Sequence, residues 1–173
     1  WMRAEVTYDG LVPTGLRETV LGPIAARNGK PLTRARDRDA EGLTLAKGSL
    51  SSGEVFISFE ANHRVGRFPV TKSGLQPPRA YLSIPKELTR HGRDGLESVT
   101  VLTQGRYTGA ILALSEPARG APARHQAWLW QGATAKRLSV TLQSAVPDGF
   151  LQYGDRHRCG EWSRPDIAEP PAV

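Results

Sequence analysis

An internal repeat is the feature of this sequence that most constrains its fold. In two segments, an acidic residue that opens one strand-like run is followed 19 positions later by an acidic residue that ends the next run. The first pair is Glu41 and Glu60, the second pair is Glu97 and Glu116, and the two pairs are offset by 56 residues. A period of this length with several short strands per unit is typical of a propeller blade or a similar array. We therefore predict an all-β fold of propeller-like blades made of short antiparallel strands.

The strands of each unit are indicated by local composition. Residues 54–60 are rich in β-branched and aromatic side chains and predict a strand, and residues 63–68 predict its hairpin partner. Residues 110–116 have the same pattern in the second unit. The glycines and prolines, 18 and 13 in number, are spread along the chain, as expected for turns between many strands. The two repeat units are placed around residues 39–68 and 94–130.

The length of the repeat also predicts the domain organisation. At 56 residues per unit the 173-residue chain holds about three units, whereas closed propellers usually have about four to eight blades. We predict a β-propeller-like region over residues 1–150 that is incomplete by itself or is completed by another chain. Residues 151–173 are polar, charged and rich in proline, and predict an irregular C-terminal tail.

Charge and cysteine content narrow the functional classes. The net charge is +6, but the basic residues form no continuous block and match no nucleic-acid-binding motif. We predict no nucleic-acid partner, and an anionic small substrate fits the basic balance. Cys159 is the single cysteine, which excludes an intrachain disulfide. No run approaches the roughly 20 apolar residues of a membrane span, and residues 1–5 carry no apolar signal-peptide core.

The acidic residues of the repeat are the main candidates for chemistry. Inner strands of propeller blades line a central channel, where carboxylates repeated from blade to blade would converge. Such a cluster suits a hard cation such as Ca²⁺, which takes six to eight oxygen ligands, and paired carboxylates also suit acid–base work on an ester. The alternative is that these residues bind backbone N–H groups in turns at strand ends. The candidate ligands are Asp39, Glu41, Glu60, Glu97 and Glu116.

A second candidate is the short polar run that follows the first strand. Glu60, His63 and Arg64 lie within five residues. Arginine binds phosphate oxygens in a bidentate manner, and histidine can carry a proton near neutral pH. The run therefore fits a phosphate-ester site, and the alternative is a polar hairpin in which Arg64 pairs with Glu60.

Other catalytic classes lack support in the sequence. There is no Gly-x-Ser-x-Gly motif, and Ser58 and Ser115 do not share one register across the repeats, which argues against a serine hydrolase. The histidines show no zinc-ligand spacing. Trp128 and Trp130 alternate with Leu129 and are predicted to pack in the core rather than to stack on a ligand.

These motifs resemble a known family. Residues 39–43, 55–60 and the His63-Arg64 pair of the first unit, with residues 95–97 and 112–116 of the second, are similar to bacterial phytase-like propeller proteins described as having esterase-like activity of phytase. The resemblance covers the chain from about Val6 to about Phe150. It implies a β-propeller exported to the periplasm or cell surface, with phosphoesterase activity. Members of the family are about twice as long as this chain, and the tail after Gln152 does not resemble a further blade.

We therefore expect a phytase-like hydrolase that acts on phosphate or other esters. Glu41, Glu60, Glu97 and Glu116 would line the channel and, with Asp39, hold a divalent cation, with Ca²⁺ the expected ion. Arg64 would contact the anionic group, and His63 would assist. The alternative is a non-catalytic propeller module that binds a partner protein or completes a larger assembly, since an incomplete propeller exposes blade edges.

Overall fold

The chain folds into antiparallel β-sheets. A computed structural model describes residues 1–86, 95–117, 124–132 and 134–141, and every strand pair in these residues is antiparallel. This confirms the all-β prediction. A 3₁₀ turn, Ala35–Asp37, precedes the third strand. The strands are β1 (Met2–Asp9), β2 (Val12–Leu21), β3 (Ala40–Ser49), β4 (Ser52–Phe59), β5 (Arg64–Thr71), β6 (Gly74–Leu75), β7 (Ala80–Tyr81), β8 (Leu96–Val101), β9 (Ile111–Pro117), β10 (Arg124–Gln131) and β11 (Thr134–Thr141).

The first sheet is the hairpin β1–β2. Its turn contains Gly10 with a φ of 58°, a conformation that glycine adopts without steric cost. The Arg3 guanidinium fastens this hairpin to the next sheet by donating to the carbonyl oxygens of Leu50 at 2.8 Å, Thr71 at 3.0 Å and Lys72 at 2.8 Å. These two acceptor regions are the β3–β4 and β5–β6 turns, so one side chain links β1 to both.

The second sheet has the order β3-β4-β5-β6, with β7 paired to β5. Strand β4 is buried on both faces, which explains its nearly continuous apolar run. Val55, Ile57 and Phe59 form a cluster on one face with Phe68 and Val70 of β5. On the other face, Phe56 and Val65 belong to a separate core cluster that also contains residues of the third sheet.

The third sheet has the order β11-β10-β9-β8, and its β8 packs against β3 and β4. The core between these two sheets contains Trp128 and Trp130, both 1% exposed. The Trp130 indole N–H donates to the Ser83 carbonyl at 2.8 Å. The predicted core role of both tryptophans is therefore confirmed. The cluster consists of Phe56, Val65, Leu96, Val99, Ile111, Ala113, Trp128 and Trp130.

Strand pairing shows that the two units are repeats of one blade. In the first unit Ala40 pairs with Phe59 and Gly42 with Ser58, so Glu41 is bulged out of the ladder. In the second unit Leu96 pairs with Ser115 and Ser98 with Leu114, so Glu97 is bulged in the same way. Each of these positions differs by 56 from its counterpart, the offset predicted from the sequence. The sheets stack as a partial propeller-like array, without closing into a barrel within the described residues.

One sequence prediction lies beyond the described residues, and one finding concerns membrane spans. The predicted irregular tail, residues 151–173, lies outside them. In the portion of the chain that the structure describes, no helix has the length and apolar character needed to cross a membrane.

Candidate metal centre

The acidic residues of the first repeat meet at one end of the second sheet, which we call the acidic edge. It is the end of the sheet at which β3 begins and β4 ends. Antiparallel pairing brings these two strand ends together, because Ala40 is the register partner of Phe59. Beyond that pair, the Glu60 N–H donates to the Asp39 carbonyl at 3.0 Å. Two acidic residues that are 21 positions apart in sequence are therefore neighbours in space.

Asp39, Glu41 and Glu60 form a group of three carboxylates, which we call the acidic triad. Each offers one oxygen, and these three oxygens all lie within 4.8 Å of one another. Asp39 and Glu60 are half-buried and Glu41 is exposed. Oxygens that share one Ca²⁺ at about 2.3–2.6 Å can be at most roughly 5 Å apart. The spacing and chemistry of the triad therefore fit a hard divalent cation, with solvent-facing positions left for further ligands.

The bulge at Glu41 contributes to this arrangement. A bulge takes a residue out of the alternation of the strand and redirects its side chain. Glu97 occupies the equivalent bulge of β8 and is half-buried. Although Glu97 was predicted to be a ligand, it is not a member of the carboxylate group found among the described residues. Glu116 lies in β9, and its side chain is outside the described residues.

Glu60 connects the acidic edge to the second repeat. A Cβ atom added to Gly95 would lie 1.8 Å from Cγ of Glu60 and 2.9 Å from its carboxyl carbon. The Glu60 side chain therefore lies directly over the Gly95 backbone, immediately before β8. The position equivalent to Gly95 in the first repeat is Asp39. One repeat thus has a carboxylate where the other has a glycine, and that glycine leaves room for Glu60.

His63 and Arg64 follow in the tight connection between β4 and β5. His63 has a φ of 42°, in the left-handed region, and its N–H donates to the Glu60 carbonyl at 3.0 Å. The guanidinium carbon of Arg64 lies 3.9 Å from the Phe59 ring centroid and 5.6 Å from that of Tyr81. An Nη of Arg64 also donates to the Asp37 carbonyl. Arg64 therefore holds the segment before β3 against the β4–β5 turn.

Two residues at the acidic edge were missed in the sequence analysis. The Asn62 amide donates to an Asp37 carboxylate oxygen at 3.0 Å, which adds a second link between the same two segments. The buried carbonyl oxygen of Asn62 has no hydrogen-bond partner among the described residues. Asn62 lies inside the Glu60–Arg64 run, so its polar character was a visible signal, but its partner is 25 positions away in sequence.

The two serines that were considered as nucleophiles are inaccessible. Ser58 is 0% exposed and Ser115 is 1% exposed, and both lie within the sheets. A buried hydroxyl inside a β-ladder cannot reach an ester in solvent. The structure therefore agrees with the sequence argument against a serine hydrolase.

Comparison with known proteins adds one finding. A family model described as "Phytase-like: Esterase-like activity of phytase" matches residues 1–156. This confirms the resemblance predicted from the motifs of the two repeats. No curated protein and no solved structure is significantly similar to the chain.

Proposed function

Because the chain belongs to the phytase-like family described by esterase-like activity of phytase, we propose that it is a hydrolase of phosphate or other esters that uses a divalent cation. The observation that carries the proposal is the acidic triad, whose three oxygens lie within 4.8 Å of one another. Three carboxylates at this spacing repel one another unless a cation or protons offset their charge. A hard cation such as Ca²⁺ is the group that this ligand set suits best.

The proposed roles follow from position. Asp39, Glu41 and Glu60 would hold the cation, whereas Glu97 and Glu116 are kept as further candidate ligands on the repeat pattern alone. When bound, a cation would supply Lewis-acid chemistry by offsetting negative charge that develops on the ester oxygens. His63 lies in the turn that begins at Glu60 and would carry a proton. Arg64 was predicted to contact the anion, but its hydrogen bond to the Asp37 carbonyl and its stacking on the Phe59 ring favour a positioning role.

The compartment is part of the proposal. We propose a bacterial protein that works in the periplasm or is secreted, since the resemblance implies export. Extracellular modules bind Ca²⁺ weakly, with dissociation constants of roughly 10⁻⁴–10⁻³ M. A site of that affinity in this protein would suit such a compartment.

Hydrolysis of chromogenic esters tests the proposal. Wild-type protein freed of metal with a chelator would be assayed on 4-nitrophenyl phosphate and 4-nitrophenyl acetate, with and without added Ca²⁺. We expect activity that returns with Ca²⁺ and falls at least about 100-fold in E41Q/E60Q, because metal-ion catalysis contributes several kcal/mol. The matched control is D9N/E18Q, which removes two exposed carboxylates from the β1–β2 hairpin.

The control should retain the wild-type rate. Metal-dependent activity that survives in E41Q/E60Q would remove the triad from the proposal. Equal losses in both double variants would show a general charge effect instead.

A second candidate function is supported by a separate observation. Leu43 and Leu45 of the inner strand β3 are 59% and 40% exposed. Leu43 lines a groove that is also lined by Met2, Val6 and Leu16 of the hairpin. An exposed apolar groove next to an unpaired strand edge is a place where a partner adds strands. We therefore retain a non-catalytic propeller module, which binds a partner chain, as the alternative.

Size-exclusion chromatography with light scattering separates the two candidates. A monomer that has metal-dependent activity favours the hydrolase. An inactive chain that forms a defined complex, and loses it in L43D/L45D, favours the assembly module.

A further inference from the structure

A short arginine-rich segment borders the acidic edge. We call residues 34–38 the arginine segment. Arginine occupies every second position of this segment, and acidic residues lie on either side of Arg38. Arg34, Arg36 and Arg38 are exposed, whereas Asp37 and Asp39 are half-buried. The arginine side chains therefore face solvent, while the acidic side chains face the β4–β5 turn and the triad.

The backbone of this segment is fixed at several points. The Arg64 guanidinium and the Asn62 amide both bind Asp37. Within the segment, the Arg38 N–H donates to the Ala35 carbonyl at 3.1 Å and closes the 3₁₀ turn. A fixed backbone limits where the three arginine side chains can reach, and Arg38 directly precedes the triad member Asp39.

Most other described arginines have an evident structural role. Arg64 stacks on Phe59, and Arg67 contacts the buried carboxylate of Glu54 at 2.6 Å. By contrast, no side-chain hydrogen bond or ion pair joins Arg34, Arg36 or Arg38 to any residue that the structure describes. The arginines with a structural contact are Arg3, Arg17, Arg64, Arg67, Arg79 and Arg106.

We propose that Arg34, Arg36 and Arg38 bind the anionic group of the ester and position it at the triad. The inference rests on the proposed function and deepens it. Three carboxylates with one divalent cation leave a net charge of −1, which would repel a phosphate ester. Arg38 is adjacent in sequence to Asp39, so guanidinium groups of this segment that reach the cation would offset that charge and bind phosphate oxygens in a bidentate manner. Arg64, the arginine predicted from the sequence, already holds Asp37 and Phe59, so the arginine segment supplies this contact.

Calorimetric binding of phenylphosphonate, a non-hydrolysable phosphate-ester analogue, tests the inference. It would be measured in saturating Ca²⁺ with wild type, with R34Q/R36Q/R38Q, and with the matched control K72Q/K136Q/R137Q. The control also removes three exposed positive charges, from a turn and a strand away from the acidic edge. Circular dichroism checks folding, and the single variants R36Q and R38Q replace the triple variant if it does not fold.

We expect R34Q/R36Q/R38Q to bind phenylphosphonate at least about tenfold more weakly, as for the loss of one or more charged hydrogen bonds. Its Ca²⁺ affinity should stay within about threefold of wild type, and the control should bind the analogue within about twofold. Unchanged analogue binding in the arginine variant, or an equal loss in the control, would overturn the inference. Ca²⁺ binding by wild type without analogue binding would overturn the inference and leave the cation site intact. Absence of both would overturn the proposed function as well.

Discussion

Strands β3 and β8 hold the same place in their repeats but differ in burial. Val99 of β8 is 6% exposed, whereas Leu43, the residue 56 positions earlier in β3, is 59% exposed. Val99 is covered because β3 and β4 pack against β8. No described element covers Leu43 in the same way. The pleat and the bulge of a blade are therefore set by the blade itself, whereas burial of its inner strand depends on the preceding blade, as in other repeat proteins.

A charge placed at the two equivalent positions should change stability most. V99D would bury an unpaired carboxylate between the sheets and should lower the free energy of unfolding by about 3 kcal/mol or more. L43D adds the same group at a solvent-facing position and should cost less than about 1 kcal/mol. Urea denaturation followed by circular dichroism measures both values. Similar costs for the two variants would show that Leu43 is covered to the same extent as Val99.

A smaller effect is expected at the next pair of equivalent positions, Gly42 and Ser98. A Cβ on Gly42 would lie 2.7 Å from the Val99 nitrogen and 2.9 Å from the Ser98 Cα, so G42A must push β3 away from β8. We expect a cost of about 2 kcal/mol, as for overpacking of a core. Ser98 is exposed, and S98A should change the free energy of unfolding by less than about 0.5 kcal/mol. Tolerance of G42A in urea denaturation would contradict the close packing of the two blades.

The third prediction concerns Gly95, the counterpart of Asp39. G95A should displace Glu60 and weaken Ca²⁺ binding about tenfold, with little loss of stability, because the clash is with a flexible side chain. Calorimetry in a double-mutant cycle with E60Q tests the cause. If G95A acts through Glu60, it should have no further effect in the E60Q background. If G95A weakens Ca²⁺ binding just as much in the E60Q background, the loss comes from a change in the backbone.

Much of the fold follows from local pattern. The β-branched and aromatic run of β4, and the Asp9-Gly10 turn, predict strands and hairpins without knowledge of the neighbours. The 19-residue spacing was read only as the sign of a repeat, but it equals one strand, a turn and the return strand, which is why Glu41 and Glu60 come together. The bulge at Glu41 was not predictable, since a single unpaired residue leaves no clear signature in composition.

Contacts between segments that are distant in the chain could not be predicted from the sequence. The Arg64–Asp37 and Asn62–Asp37 bonds span 27 and 25 positions and depend on how the loop before β3 lies on the β4–β5 turn. Because the sequence does not show that placement, Arg64 was predicted to contact the anionic group of the ester. The role of Gly95 could not be predicted either, because its contact with Glu60 exists only once two blades are packed.

Calorimetric titration of Ca²⁺ into chelator-treated protein measures whether the acidic triad binds a cation. The variants are E41Q/E60Q, which removes two members of the triad, and E97Q, which changes the equivalent bulge of the second repeat. We predict about one ion per wild-type chain, at least about tenfold weaker binding in E41Q/E60Q, and a smaller loss in E97Q. Wild-type protein that binds no Ca²⁺, or E41Q/E60Q that binds it as tightly as wild type, would contradict the assignment of the acidic triad as a metal centre.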